Sequence, residues 1–451
     1  MSPSNKKPIR PWCAVHSPVP VRKYNFRPGF LFGAATSAYQ IEGGIEAQTG
    51  RGESIWERYF AARPHLDTGA IACDHYHRMP EDVQLMKRLG LKAYRFSVAW
   101  PRVIPQGTGA LNDKGVDFYK RLVDELLNNG IEPFLTGYHW DLPQALEEKG
   151  GWTNRETAKH FGDYMHILAE KLGDRVQHWG TLNEPEVIVG GYLYDGLAPG
   201  RKEQHMRTAV AHNLMLAHGY GAQAVRAVNP NLTVGCTLNL VPIEPANKHA
   251  HKAARRHWQS NYSLYLDAML KGKYPKVVLD EMEHNGIKIE SGDMALINQK
   301  LDYLGVNWYL RMVMNRRGRI IQMPAADFTQ VGWEINAAPF TRMLVAMNDE
   351  YKLPPIYVTE NGAAIPDKIE GERVHDLVRM SYIHDHLNAL ENAVARGVDV
   401  RGYFAWSLMD NLEWSGGYQF TFGIVHVDRQ TLNRTIKDSG YWYRDMIAAN
   451  G

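Results

Sequence analysis

Hydrophobic and polar positions along the chain fall into two alternating kinds of run. Short, nearly continuous apolar or β-branched stretches recur at residues 31–35, 93–98, 132–138, 176–182, 233–238, 303–308, 356–359 and 400–407. Runs of this length, bounded by Gly, Pro or Asn, read as strands buried on both faces. Between them lie segments with helical spacing: in 116–129, Phe118, Leu122, Leu126 and Leu127 fall on one side, and 209–228 carries a similar stripe. Eight strands alternating with helices predict an α/β fold, a single (β/α)8 TIM barrel with inserted βα loops, because parallel neighbours need a crossover and the helices cover the sheet outside. A doubly wound sheet would want a Gly-rich phosphate turn after an early strand, and Gly33-Ala34-Ala35 lacks that spacing. Residues 1–28 are rich in Pro, Lys and Arg and have no sustained periodicity, so they are expected to form an irregular surface leader ahead of a barrel domain at 29–451.

A barrel builds its chemistry at the C-terminal ends of its strands. Taken in order, those ends offer Gln40 and Glu42, then Arg95 with Trp100 beyond it, then Tyr138-His139-Trp140-Asp141, Asn183-Glu184, the vicinity of Asn239, Asn307 to Tyr309, Glu360, and Trp406. Two of them deliver glutamates. The run Ile356-Tyr357-Val358-Thr359 reads as a strand that hands Glu360 to a loop at Asn361-Gly362, and Pro185 ends the ladder directly after Glu184. Two carboxyls facing one sugar bond are what glycoside hydrolysis needs, one protonating the leaving oxygen and the other attacking the anomeric carbon or activating water. Either acid alone could equally be a helix cap or an arginine's partner; the two together on a barrel rim favour chemistry.

Composition agrees with that picture. A chain of 451 residues with 44% hydrophobic content supports a large core, and 12 Trp and 23 Tyr exceed what packing alone needs, while aromatic faces are what sugars stack on. A net charge of +2 argues against nucleic acid or an acidic membrane surface as partner, and the basic run 248–257 reads as a solvated helix face. Cys13, Cys73 and Cys236 show no paired spacing, which points to a reducing compartment without a disulfide frame or zinc site. The N-terminus lacks the apolar core of a signal peptide and no stretch is long and apolar enough to span a bilayer, so the expected location is cytoplasmic. His75 and His77 have a spacing that metal ligands use, but the chemistry requires no metal, and neither metal nor cofactor is expected. A homo-oligomer is compatible with the sequence.

From about residue 28 to the end, the chain resembles glycoside hydrolase family 1, the family of β-glucosidases. The likeness rests on Phe30-Leu31-Phe32-Gly33-Ala34-Ala35-Thr36-Ser37-Ala38-Tyr39-Gln40-Ile41-Glu42-Gly43, Tyr138-His139-Trp140-Asp141-Leu142-Pro143, Thr181-Leu182-Asn183-Glu184-Pro185, Tyr357-Val358-Thr359-Glu360-Asn361-Gly362 and Ala405-Trp406-Ser407-Leu408-Met409-Asp410-Asn411-Leu412-Glu413-Trp414. The resemblance implies a retaining β-glucosidase of the kind used in cellulose degradation, acting on β-glucosides and oligosaccharides such as cellobiose, with galactosyl and fucosyl residues as alternatives. It makes Glu360 the nucleophile and Glu184 the general acid and base, with carboxyls roughly 5 Å apart. Arg95 would lower the nucleophile's pKa and Tyr309 would donate a hydrogen bond to it.

Asn183 would bond the sugar 2-hydroxyl, and Gln40, His139, Glu413 and Trp414 the remaining hydroxyls. Trp406 is either the platform under the ring or core packing, and Phe422 either closes the pocket near the 6-hydroxymethyl or is plain wall. Asn307 and Trp140 join the substrate-side set by their strand ends. The chain departs from the family pattern at Trp308, where Tyr is common, at Leu310, and in a short segment 311–330, all expected beside the entrance, with Trp333 as a stacking surface for the aglycone. Two alternatives on the same fold are a 6-phospho-β-glycosidase and a catalytically silent sugar-binding barrel. Glu413 and the absence of Lys or Arg from 417–422 oppose the first, and the presence of both glutamates opposes the second.

Overall fold

In the computed structural model, which describes residues 19–323 and 326–451, eight parallel strands close into a barrel. They are β1 (Leu31–Ala35), β2 (Ala93–Ser97), β3 (Glu132–Tyr138), β4 (His178–Asn183), β5 (Thr233–Asn239), β6 (Tyr303–Trp308), β7 (Ile356–Asn361) and β8 (Val400–Trp406). Each strand pairs with its neighbours in the chain, and β8 closes on β1 through partners that run from Leu31 opposite Gly402 to Ala35 opposite Trp406. The expected (β/α)8 fold is what forms. Amphipathic helices pack outside, among them Asp113–Asn128 and Arg207–Val228, each beginning two or three residues before its hydrophobic stripe does.

The largest differences from the sequence expectation lie where the two acids sit. β7 does not stop before Glu360: Glu360 pairs with Asn307 and Asn361 with Trp308, after a register shift between Val358 and Glu360. An irregularity of this kind re-aims the side chain that follows it, so Glu360 is carried by the strand end itself and not by a loop. Glu184 directly follows β4 with φ of +51°, and Pro185 opens the helix Pro185–Leu193 at its first turn. That backbone is uncommon for a residue with a Cβ, and it turns the chain from strand to helix within one residue.

Below the acids the barrel is filled by aromatic rings. Phe134 meets Tyr357 at 5.1 Å and Phe404 at 4.9 Å between centroids, and Tyr303 meets Tyr357 at 5.3 Å. Gly235 makes room for this plug, since a Cβ there would run into the Tyr303 ring. Inserted segments add small sheets at the strand ends: Ile243–Pro245 with Met312–Met314 and Ile320–Ile321, Lys368–Glu370 with Arg373–His375, and Val425–Val427 with Arg434–Ile436.

Of the expected leader, residues 1–18 lie outside the described residues, and 19–28 form neither helix nor strand. Tyr24 in that stretch is nonetheless buried, its hydroxyl 3.0 Å from His384 Nδ1, and Arg22 pairs with Glu391 at 2.6 Å. No helix among the described residues is long and apolar enough to cross a membrane.

The ends of β7 and β8 touch at Gly362, where a Cβ would collide with the Trp406 carbonyl oxygen. Backbone cannot yield as a side chain can, so Gly362→Ala is expected to lower stability by about 1–3 kcal/mol, as overpacking does. Chemical denaturation measures this, and an unchanged unfolding midpoint would contradict the close approach.

Candidate active site

A cavity of about 360 Å³ opens at the C-terminal ends of the strands, with Glu184, Glu360, His139, Trp140, Tyr309, Trp333, Trp406, Glu413, Trp414 and Phe422 among its walls. A larger cavity, about 740 Å³, lies at the opposite end against Leu31, Lys92, Ile131 and Glu132, and no pair of carboxyls converges on it.

The acids are held by a network that starts at Arg95 of β2. Its Nη1 donates to Glu360 Oε1 at 2.6 Å and its Nη2 to Asn183 Oδ1 at 2.6 Å, so one buried guanidinium fastens the ends of β7 and β4. Tyr309 O–H donates to the other oxygen of Glu360 at 2.6 Å. Asn307 donates to Glu184 Oε1 at 2.6 Å and to Asn183 Oδ1 at 3.2 Å, while its own oxygen accepts from Thr359 Oγ1 at 2.7 Å. With Asn183 Oδ1 thus occupied, its Nδ2 faces His139 Nε2 at 3.1 Å. The imidazole proton therefore sits on Nδ1, which is buried with no protein partner and is free to meet a ligand hydroxyl. Burial and the Arg95 charge hold the His139 pKa well below the usual histidine range, so the ring is neutral.

The two carboxyls are held unequally. Burial, and then the negative charge of Glu360, push Glu184 well above the ordinary carboxylate range, with only Asn307 and the more distant Arg95 working against them. Burial raises Glu360 too, but Arg95, Tyr309 and Asn307 all pull it back down. Within the pair the proton belongs to Glu184 and the charge to Glu360. Glu184 stands at the N-cap of its helix, yet its side chain makes no capping hydrogen bond. Glu413, half-buried in the same cavity, is pushed up to about 8 by burial and by Glu360.

Most other residues expected in the site line it or support it. Trp406 is buried at the end of β8 with its ring 5.8 Å from that of His139, and Trp414 stacks on Trp56 at 4.5 Å. Trp140 lies 4.6 Å from Trp414, and its indole N–H donates to the Asn183 carbonyl at 2.9 Å. Trp333 packs 5.1 Å from Tyr309 and 5.9 Å from Phe422, and both Trp333 and Phe422 line the cavity.

Gln40 is fully buried: its Nε2 donates to Asn411 Oδ1 at 3.0 Å and to the Leu412 carbonyl at 2.7 Å, and its Oε1 accepts from Ser37 at 2.6 Å, so the amide also anchors the segment that carries Glu413. One expectation needs correction: Trp308 is not beside the entrance. Strand alternation turns Asn307 inward and Trp308 outward, where it stacks on Phe340 of the helix Ala338–Tyr351 at 4.8 Å.

His75 and His77 do not converge. His75 Nδ1 meets buried Asp82 at 2.8 Å, and His77 meets Asp74 on the surface at 2.6 Å. From His251 onward the basic run lies on the helix His251–Trp258 with its charged side chains largely exposed, while 248–250 form the turn before it.

Sequence reasoning missed the support behind the cavity. Lys437 Nζ, fully buried, donates to Asp367 at 2.7 Å and Asp410 at 2.8 Å, and Arg379 bonds Asp367 at 3.0 Å, Asp376, and the carbonyls of Ile365 and Thr421. Asp367, Asp410 and His426 approach closely enough to hold a cation, and the Lys437 ammonium is bound to the first two. The missed lining residues Val187, Leu197, Val331 and Phe420 come from inserted segments, where no strand-end rule points.

A parallel barrel with a protonated and an ionised glutamate facing one blind cavity defines an enzyme of the glycoside-hydrolysing class. Comparison with known proteins is specific. The family profile described as Glycosyl hydrolase family 1 matches residues 22–451. The chain is 42% identical over 439 residues to the 1,4-beta-D-glucan glucohydrolase of Thermotoga neapolitana, covering 94% of this chain and 99% of that protein. It is also 42% identical over 463 residues to a bifunctional beta-D-glucosidase/beta-D-fucosidase of Bifidobacterium breve, covering 94% and 98%. The solved beta-glucosidase of Thermotoga maritima in complex with glucoimidazole superposes with a TM-score of 0.91 at 41% identity over 94% of this chain and 99% of that one. The chain belongs to glycosyl hydrolase family 1.

Tyr309 offers a test of the unequal pair. Its O–H stabilises the ionised form of Glu360, so Tyr309→Phe raises the pKa of that carboxyl. The acidic limb of kcat/KM is expected to move to higher pH by about one unit, the size of one charged hydrogen bond. A pH–rate profile with an unmoved acidic limb would mean that Glu360 is not held this way.

Proposed function

We propose that the chain hydrolyses terminal non-reducing β-D-glucosyl residues, with β-galactosides and β-fucosides as secondary substrates and short oligosaccharides such as cellobiose among its glucosides. Residues 29–451 act as one catalytic domain in this reading. The relatives' names support the glucosyl preference, and the fucosidase named in Bifidobacterium breve supports the wider range. The observation that carries the mechanism is the unequal holding of the two glutamates: Arg95 and Tyr309 both bond Glu360, while Glu184 receives only Asn307.

Glu360 then attacks the anomeric carbon as Glu184 protonates the departing oxygen, giving a glycosyl ester on Glu360. Ester formation removes the negative charge that had raised the Glu184 pKa, so Glu184 can take a proton from water, which attacks the same carbon and releases the sugar. Arg95 and Asn307 orient Asn183, which supports its bonding the 2-hydroxyl, where the contact would strengthen in the transition state. His139 Nδ1 and Glu413 are the further hydroxyl partners, with Trp406 beneath the ring.

Among the described residues that line the cavity there is no lysine or arginine, and Glu413 would repel a 6-phosphate, which favours plain glycosides over phosphorylated ones. Cys73 and Cys236 are buried free thiols, which suits a reducing, cytoplasmic setting.

Two displacements at one carbon retain configuration. Proton NMR during early turnover is therefore expected to show the β-anomer first, and an α-anomer first would overturn the double displacement.

Glu184→Ala separates the roles of the two acids. Activated aryl glucosides need little protonation, so their loss in the glycosylation step is expected to be smaller by about 10²-fold than that of alkyl glucosides. Equal losses for the two substrates would remove Glu184 from the acid role.

A further inference from the structure

The whole chain holds 51 Lys and Arg against 49 Asp and Glu, but that near-neutral total hides one strongly basic surface. The turn 246–250 and the helix His251–Trp258 carry Lys248, Lys252, Arg255 and Arg256 and no acid, and the turn 315–319 carries Arg316, Arg317 and Arg319 and no acid. All seven are exposed. A small sheet brings the two segments together. Ile243–Pro245 runs parallel to Met312–Met314, and the Ala246 N–H donates to the Met314 carbonyl at 2.9 Å, so both segments leave the sheet at the same end. Helix His251–Trp258 then packs against the strand Ile243–Pro245.

Among the described residues none of the seven makes an ion pair. The acids of the adjoining segments are committed elsewhere: Glu244 to Arg311 and Arg342, Glu334 to Arg311, and Glu350 to Lys271. Only Asp327 in the segment 309–335 is left without an ion pair. Beside the cations, the edge strand Ile320–Ile321 and the residues Met323 and Phe328 expose large apolar side chains.

We infer that this surface binds the face of an anionic lipid bilayer, its lysines and arginines meeting the headgroup phosphates and Ile320 and Ile321 entering the boundary with the acyl chains. Unpaired cations on one face attract any polyanion. The apolar side chains among them decide which one: nucleic acid offers aliphatic isoleucines nothing, since its bases stack on aromatic rings, whereas at a bilayer they leave water. No helix among the described residues is long and apolar enough to cross a membrane, so the attachment is peripheral. The binding segments spring from the ends of β5 and β6, the end of the barrel at which the cavity opens. Nothing in this inference depends on which glycoside is cleaved. Each Lys or Arg near such a surface contributes about fivefold to partitioning, and salt weakens that contribution as the Debye length falls from about 10 Å at 0.1 M to about 3 Å at 1 M.

The test is co-sedimentation of the full chain with vesicles of phosphatidylcholine alone and of phosphatidylcholine and phosphatidylglycerol in equal parts. At low salt the mixed vesicles are expected to bind it at least about tenfold better, and about 1 M salt is expected to remove most of that difference. Changing Arg316→Gln, Arg317→Gln and Arg319→Gln together is expected to cut binding to mixed vesicles by about tenfold or more. Ile320→Ser with Ile321→Ser is expected to cut it by about threefold or more. These positions are exposed, so the unfolding midpoints should not move. Equal binding of the parent protein to both kinds of vesicle, or an arginine variant that binds like the parent, would overturn the inference. Full vesicle binding by the isoleucine variant would overturn it too, because a purely ionic patch suits nucleic acid as well as lipid.

Discussion

A single buried cation governs the electrostatics of the site. Arg95 is 2% exposed, and a guanidinium cannot shed its charge, so the ends of β4 and β7 must present acceptors to it wherever else the chain varies. Three carboxyls, those of Glu184, Glu360 and Glu413, share the cavity above it. One cation cannot compensate three anions in a place shielded from water, so the protons have to be distributed. Glu360 takes both the guanidinium and the Tyr309 hydroxyl and keeps the charge; Glu184 and Glu413 are pushed upward. In the proposed mechanism, the division between nucleophile and acid would follow from which strand end the arginine reaches. The same fork orients Asn183, and through Asn183 it sets the His139 tautomer, so the sugar contacts and the acid–base chemistry proposed above would both hang on one side chain.

A second layer of buried charge holds the walls. Arg379 bonds the carbonyls of Ala363 and Ile365, just beyond β7, and of Thr421, just before Phe422, while Lys437 bridges Asp367 and Asp410. Asp410 in turn accepts the Gly423 N–H at 2.9 Å. The segments after β7 and β8 are long, and beyond the Leu408 N–H, which donates to the Ala35 carbonyl of β1 at 3.1 Å, these ion pairs help to fix their positions. Removing one member would leave buried charge unpaired, a cost of about 3–5 kcal/mol. Gln40 belongs to this support: its amide fixes the backbone beside Glu413.

Much of this was legible in the sequence because a barrel's geometry repeats. Eight short apolar runs located eight strands to within two residues at each end, and the strand-end rule brought Arg95, Asn183, Glu184, Asn307, Tyr309 and Glu360 into one cluster. The register shift that keeps Glu360 within β7 was not legible, since no residue type announces a bulge. Trp308 was misplaced because its motif was read without strand alternation, which sends neighbours to opposite faces. Arg379 and Lys437 were invisible for a different reason. An isolated Arg or Lys in a helical or irregular stretch looks like any solvated charge until the fold buries it. Val187, Leu197, Val331 and Phe420 come from inserted segments whose path no period encodes.

The aromatic plug of Phe134, Tyr303, Tyr357 and Phe404 gives the site its remaining property. By filling the barrel below the acids it leaves the cavity closed at the floor, so a substrate enters and leaves by the same mouth. A cleft open at both ends would let a polysaccharide lie across the carboxyls and be cut in the middle. A blind pocket whose floor carries the acids suits a chain end, and in the proposed reaction the bond cleaved would be the one at the level of Glu184 and Glu360. The depth set by four rings in the barrel interior is therefore the physical basis for proposing action on terminal residues. The varied, loop-built mouth then acts only on what lies beyond the scissile bond.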